Sequence, residues 1–591
     1  MSKIDHQFYK YLFAQNENPI ALPLPSFVDS TAVKINGEKY FRCKVFAANP
    51  LIHANNPSLI TGSVWPNFFT ARLSIQQIIE LANNNDIIFI EAAYRINLLN
   101  DFARAATGVA SLQNGNLNNT TYTGTDVLVG VIDAGIDWQH GDFIDPLSST
   151  TSRIYSLWDQ DLTVTGSENT PYTNDANLTC CNFGVEYTNS EINNELSTSN
   201  GDIRNAETSN HGTHVAGTAA GNGNALSPAA HIGMAPNAEI VFVNTDFSDA
   251  SIIDALDYMD QKATDESKPI VVNLSLGSDY NAHDGTSALA QAIDAFSGTG
   301  RAVVCAAGNE GDDNMHFSGT IPEGGSHDFS VTISSYTPSS GNFNDFFQLL
   351  IYIQRGDSVT CEIDGPNGSN TLNTVGSSIG VNTPSDGYIY LNNSVDANNT
   401  DRKFHIDIYD AISTNPPAQG TYTFTLNNIN ASAPYSKNLV YHVWLYNKSS
   451  SSFQLTSGNN SYIVGSPASA AQAISVGSFV HRWRWQNYAG SNRLYSGTDL
   501  SDDISAFSSS GPLRTGETKP EIAAPGQGVI SSLSSFSSAA TSRRVSGEKH
   551  FVNQGTSMSC PVVTGSVALL LESNPSLSAS SIKNLITANA N

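Results

Sequence analysis

From Asp126 onward the chain alternates short, uninterrupted apolar runs with helix-like stretches: VLVGVID, HGTHVAGTAAG, EIVFVNT, SIIDALDYMDQKA, IVVNLSLG, SALAQAIDAF and AVVCAAGN. An apolar run without polar alternation is a strand buried on both faces. Helices between such runs predict a parallel sheet covered on both sides. Near Asp312 the helices stop. To about Asn460 only alternating strands follow, among them HDFSVTIS, FQLLIYIQ, FHIDIYD, GTYTFTLN and YHVWLY, divided by Gly, Pro and Asn turns. That pattern predicts a β-sandwich or jelly roll. The α/β pattern resumes at AAQAISVGS and ends in SMSCPVVTGSVALLLES and SASSIKNLITANA, so the sandwich reads as an insertion within one α/β domain.

Ahead of this domain, Ile75, Ile78, Ile79 and Ala82 share a helix face and Ile87 to Ile90 suit a strand. The first part of the chain therefore predicts a small α+β unit, joined to the rest by the polar, Gly/Asn-rich stretch from Gly108 to Thr125. The expected divisions are 1–107, 108–312, 313–460 and 461–591, which suits a 591-residue chain too long for one core.

Charge narrows the list of partners. The 54 acidic against 28 basic residues give a formal charge of −26, a field that repels nucleic acid and anionic lipid. No stretch reaches the roughly 18 apolar residues of a membrane span. Charged residues are only 14% of the chain, so the surface is made polar largely by Asn, Ser, Thr and Gly, a blend common in secreted proteins. The opening MSKIDHQFYKYLF lacks the features of a signal peptide. The expectation is a secreted or cell-envelope protein whose leader has been removed, with the cytoplasm as the alternative. The six cysteines lack CxxC spacing and predict neither a metal knuckle nor a disulfide-dense scaffold.

Three short motifs carry chemistry. VGVIDAGID puts Asp133 at the carboxyl end of a buried strand, where parallel sheets hold ligands. NHGTHVAGT and QGTSMSCP put His211 and Ser557 at the starts of helices, whose free N–H groups favour developing negative charge. A hydroxyl, an imidazole and a carboxylate are what acyl transfer needs. Singly, each motif reads as a turn or a helix cap; the weight lies in the constellation. His211 and His214, three apart on one helical turn, have the spacing of metal ligands, but no HExxH pattern accompanies them. Cys305 and Cys560 read as small buried apolar groups.

With GMAP, VNLSLG, AAGNEG, FSSSGP and AAPG in family order, the chain resembles the subtilases, the subtilisin-like serine peptidases. The resemblance implies a subtilisin-like, doubly wound α/β fold and an endopeptidase needing no cofactor. In it Asp133 orients His211, His211 is base and acid, and Ser557 attacks. The Asn309 side chain and the Ser557 N–H bind the oxyanion. Ser275, Leu276 and Gly277 pair with an extended polypeptide substrate opposite a wall of Ala306, Ala307 and Gly308. Asp142 corresponds to a family calcium ligand, making structural calcium an expectation. Two departures, DAG at the Asp motif and SCPVV after Ser557, touch no triad atom. The first hundred residues resemble subtilase propeptides, which act as intramolecular inhibitors, and RIYSLWDQ, GVEYTNSEINNEL, HDGTSALAQAIDAF and the sandwich following AAGNEGDD resemble the Csp-like subgroup with its inserted jelly roll. The alternatives are a catalytically silent homologue whose sandwich binds a protein or glycan, and a proenzyme that processes only itself.

Overall fold

The computed structural model describes residues 3–5, 8, 33–35, 38–48, 58–92, 97–98, 107–115, 120–175, 177–354, 358–373, 376–429, 438–495, 502–536 and 538–590. The centre is a nine-stranded sheet in the order His550–Gln554, Ile522–Ser532, Ile474–Val480, Arg301–Ala306, Ile270–Leu274, Leu128–Asp133, Glu239–Asn244, Ile154–Asp159, Val185–Thr188. The seven inner strands are parallel and the two edge strands run antiparallel to their neighbours. Strands such as Leu128–Asp133 are buried along their whole length, because helices cover both faces. Gly212–Ala220 and Thr556–Ser573 cover one face, Asp249–Asp265 and Ala288–Phe296 the other.

Between Arg301–Ala306 and Ile474–Val480 the chain leaves the sheet to build two antiparallel sheets, one of six strands and one of five. Their inner faces close over a core that includes Phe329, Leu349, Phe404, Phe424 and Val443. The alternation of buried and part-exposed positions along Gly420–Asn428 shows why the sequence pattern has period two there.

Among its described residues the N-terminal unit is a five-stranded antiparallel sheet with a helix, Ile75–Ala82, started by a capping box in which Ser74 and Gln77 exchange hydrogen bonds. It docks on the helix Asp249–Asp265 through buried polar contacts. Lys44 is fully buried and pairs with Asp249 and, at 3.1 Å, with Glu91. Arg42 pairs with Asp246 and with Asp161, the Ser63 N–H donates to Asp254 at 2.8 Å, and the Arg72 guanidinium lies 3.7 Å from the Phe183 ring centroid. The tail of this unit reaches the central domain. Asn97–Leu98 pairs antiparallel with Leu276–Gly277, Leu98 opposite Leu276 and Asn97 opposite Gly277.

One disulfide joins neighbours, Cys180 and Cys181. Cys43, Cys305, Cys361 and Cys560 are buried free thiols.

Candidate active site

Asp133 ends its strand with the carboxylate fully buried. Both of its oxygens face Nδ1 of His211, at 2.7 and 2.8 Å, and one also accepts the N–H of Ala134 at 2.8 Å. His211 sits at the N-cap of the helix Gly212–Ala220. This approach needs a glycine next in sequence. A Cβ on Gly212 would lie 2.1 Å from the Gly135 carbonyl oxygen and 3.1 Å from Asp133 Cβ, so a larger residue would push the helix off the strand.

Glu207, which the sequence did not flag, holds His211 from the other side. It is fully buried, and one of its oxygens accepts the His211 backbone N–H at 2.6 Å and also the Ser209 hydroxyl. Burial pushes its carboxyl above the usual carboxylate range. The position four residues before His211 is the only trace of this role in the chain.

Ser557 is the second residue of the helix Thr556–Ser573 and is fully buried. Its Oγ donates to the Ser275 carbonyl at 2.8 Å, while the Ser275 hydroxyl donates back to the Ser557 carbonyl at 2.6 Å. The first residue of the same helix fixes Asn309. The Thr556 N–H and hydroxyl donate to Asn309 Oδ1 at 3.0 and 3.1 Å, which directs the amide NH2 away from Thr556. Gly308, just before, has φ of +117°, and a Cβ there would lie 2.6 Å from both Glu310 Oε2 and Ser509 Oγ. Ala306 and Ala307 are buried, at the end of their strand.

The Subtilase family model matches residues 124–385 and 430–591, well over half of the chain. The chain belongs to the subtilase family. It is similar to the serine protease AprX of Bacillus subtilis (strain 168), 35% identical over 133 residues, which are 22% of this chain and 27% of AprX. It is also similar to the subtilisin-like protease SBT3.16 of Arabidopsis thaliana, 24% identical over 557 residues, 88% of this chain and 64% of that protein. The match to AprX thus spans about a quarter of that relative. Among solved structures, the Clostridium Perfringens CspB protease aligns with a TM-score of 0.63 at 23% identity, covering 83% of this chain and 92% of that one. At that identity the likeness is one of fold, and it agrees with the Csp-like resemblance of the sequence.

Asp142 is held by the protein's own groups. The resemblance makes it a calcium ligand, yet in this subtilase its carboxylate is fully buried and already satisfied by the protein. One oxygen accepts from the Ser532 hydroxyl at 2.5 Å and lies 2.8 Å from His550 Nε2; the other accepts the Ala225 N–H at 3.1 Å. The His140 ring lies 3.6 Å away. Burial alone would raise the Asp142 carboxyl, but the His550 hydrogen bond, the neighbouring His140 and the Ser532 hydroxyl bring it down to about 2. A calcium ion prefers six to eight oxygens, and an imidazole stands where they would gather. Among the described residues no group of three or more His, Cys, Asp or Glu is arranged to hold a metal ion.

The remaining candidates separate by environment. His214 is fully buried, edge-on to Phe551 with ring centroids 4.8 Å apart, and burial holds it well below the usual histidine value. It shares no ligand geometry with His211, whose ring faces Asp133. The Cys560 thiol donates to the Val304 carbonyl at 3.2 Å, and burial pushes it up to about 12, so it is no thiolate. Among the described residues no helix is long and apolar enough to cross a membrane.

Proposed function

We propose that this chain is a serine endopeptidase that hydrolyses peptide bonds through an acyl-enzyme, with Asp133, His211 and Ser557 as its triad and Asn309 in its oxyanion hole. The observation that carries the proposal is the grip of Asp133 on His211 Nδ1 by both carboxylate oxygens. It keeps the proton on Nδ1, leaves Nε2 as the basic nitrogen and stabilises the imidazolium once Nε2 is protonated. For attack, the Ser557 hydroxyl leaves the Ser275 carbonyl and turns to His211 Nε2, which takes its proton as Oγ bonds to the substrate carbonyl. The oxyanion is held by the Asn309 amide and the Ser557 N–H, the latter at a helix start where the backbone dipoles favour negative charge. The imidazolium then protonates the departing amine, and the acyl group remains on Oγ. Water, deprotonated by the same imidazole, releases the acid and restores the hydroxyl. No cofactor takes part.

We read residues 1–107 as a propeptide whose tail inhibits the enzyme in the manner of a product. The antiparallel pairing of Asn97–Leu98 with Leu276–Gly277 supports this, because an extended substrate binds by adding a strand in the same way. Polypeptides are therefore the substrates, and the protein's own tail is the first of them.

Labelling with a fluorophosphonate probe tests the proposal. The wild type, freed of its N-terminal fragment, should be labelled on Ser557 and should hydrolyse a chromogenic peptide. A purified, processed protein that neither reacts nor turns over would make it a silent binding homologue instead.

A further inference from the structure

The molecule as a whole is strongly acidic, yet one surface of it is not. Residues 481–498 and 533–557 contain six Lys or Arg, namely Arg482, Arg484, Arg493, Arg543, Arg544 and Lys549, against one carboxylate, Glu548, which pairs with Arg544 at 3.4 Å; the exposed Asp502 and Asp503, hydrogen-bonded through their backbones to Val480, border this surface and leave it basic by count. In the chain as a whole acids outnumber bases by 54 to 28. The two segments are stitched into one platform. The Tyr488 N–H donates to the Arg544 carbonyl at 2.9 Å and the Trp485 indole N–H to the Ser542 carbonyl at 3.0 Å, while the Trp485 and Tyr495 rings pack 4.9 Å apart. From this base a short hairpin, Arg484–Gln486 with Asn492–Leu494, carries exposed side chains: Arg484, Arg493, Tyr488 at 41% and Leu494 at 59% exposure. The Arg484 guanidinium lies 5.0 Å from the Trp483 ring. Among the described residues neither Arg484 nor Arg493 pairs with a carboxylate.

The platform is fastened to the catalytic elements. Arg543 Nη1 donates to Asn553 Oδ1 at 2.8 Å and the Val552 N–H to the Arg543 carbonyl at 2.9 Å, both on the strand that runs directly into Ser557. The Arg482 N–H donates to the Gln527 carbonyl at 3.0 Å, beside Gly526, whose carbonyl accepts the Gly555 N–H at 2.8 Å. Sheet order completes the picture. Along one edge of the sheet come the substrate strand after Ile270–Leu274, then Asn309 after Arg301–Ala306, then the platform after Ile474–Val480. A polypeptide whose acyl side lies on Leu276–Gly277 and whose scissile carbonyl meets Asn309 next encounters the platform.

We propose that this basic, aromatic platform binds the leaving-group side of the substrate and selects polypeptides that carry carboxylates a few residues beyond the scissile bond. The proposal rests on Ser557 as the nucleophile. Acidic peptide is the occupant favoured by position, since the platform adjoins the cleft. It is also favoured by contrast, since the −26 charge repels such a chain and this island attracts it. Exposed Arg on a rim steers and orients by long-range attraction, and Trp and Tyr faces add contact without selecting sequence.

The test uses two peptides that share the acyl side and differ beyond the cut, one with Asp and Glu at three positions and one with Asn and Gln. The acidic peptide should have the higher kcat/KM by about tenfold at low salt, and the ratio should shrink toward one as salt rises past the Debye regime. Arg484→Glu with Arg493→Glu should bring the ratio below one, and Arg484→Gln with Arg493→Gln should bring it near one. Equal rates in the wild type, or a ratio untouched in both variants, overturn the proposal. Binding of fluorescent acidic peptide to Ser557→Ala, read by anisotropy, keeps the question apart from the nucleophile. Retained preference with no fluorophosphonate labelling of wild type would sink the catalytic reading alone, whereas loss of preference with intact labelling would sink the platform alone. If heparin at matched negative charge competes for the platform as tightly as the acidic peptide, the platform is a general polyanion surface and the substrate reading fails.

Discussion

Thr556 captures the side-chain oxygen of Asn309 with both its backbone N–H and its hydroxyl, so the residue next to Ser557 also aims the amide proposed to meet the oxyanion. Asn309→Ala is therefore expected to lower kcat by roughly a hundredfold to a thousandfold with little change in KM, the range found for loss of one such donor in a subtilisin. Steady-state kinetics on one peptide decide it. A change confined to KM would make Asn309 a ground-state contact.

Ser557→Ala and His211→Ala should abolish turnover, and Asp133→Asn nearly so, each by about four powers of ten or more, as in subtilisin and other triad enzymes. Asp133→Asn is the informative member of the set. The neutral amide can still meet Nδ1 but cannot stabilise the imidazolium, so kcat should fall while the protein remains folded. Ser557→Ala with activity within tenfold of wild type would refute the assignment.

Self-cleavage is expected between about Ile96 and Asn119. The residues on either side of the cut lie mostly outside those described, but Leu98 opposite Leu276 supplies a register. N-terminal sequencing of wild type beside Ser557→Ala reads the site. Identical cutting in both proteins would assign the work to another protease.

The Asp142–His550 contact predicts indifference to calcium and sensitivity to acid. Chelator or added calcium should leave the melting temperature unchanged, whereas His550→Ala, which takes one partner from a buried carboxylate still held by Ser532 and the Ala225 N–H, should lower stability by about 2 kcal/mol. For the pH dependence, the Asp142 carboxyl is held at about 2, below its ordinary value of 3.8. Its contribution is present above pH 4 and is lost as pH falls through about 2. A melting temperature that drops on adding chelator would restore the metal reading.

The residues of the proposed site stand in short local motifs of the sequence, because acyl transfer demands particular residue types there. Asp133, His211, Ser557 and Asn309 each stand within a few residues of the glycine or hydroxyl group that shapes them. What was not legible depends on pairing across the chain. Nothing near IDWQHGDF announces that Asp142 will meet His550, 408 positions on. Nothing in the sequence around Lys44 announces that it will be buried against Asp249, 205 positions away, which neutralises it. Glu207 resembles a loop acid until the fold turns it onto the His211 N–H. Cys180 and Cys181 show the same limit in miniature, since adjacency in sequence does not reveal that the two sulfurs are bonded to each other.

The inserted sandwich also bears on how the catalytic sheet assembles. Strands Arg301–Ala306 and Ile474–Val480 are sheet neighbours separated by 167 residues, 307 to 473, and closing so long a flexible loop carries an entropic cost. The two ends of the insert are tied, His316 and Asn459 exchanging backbone hydrogen bonds at 3.2 and 2.7 Å. Once the sandwich has formed, the loop left to close is only residues 307–315 and 460–473. By chain-closure scaling that difference is worth about 2 kcal/mol toward pairing the two strands. The domain thus acts as a staple in the folding reaction. A chain whose sandwich is destabilised should refold its catalytic half more slowly, even where the finished active site is unchanged.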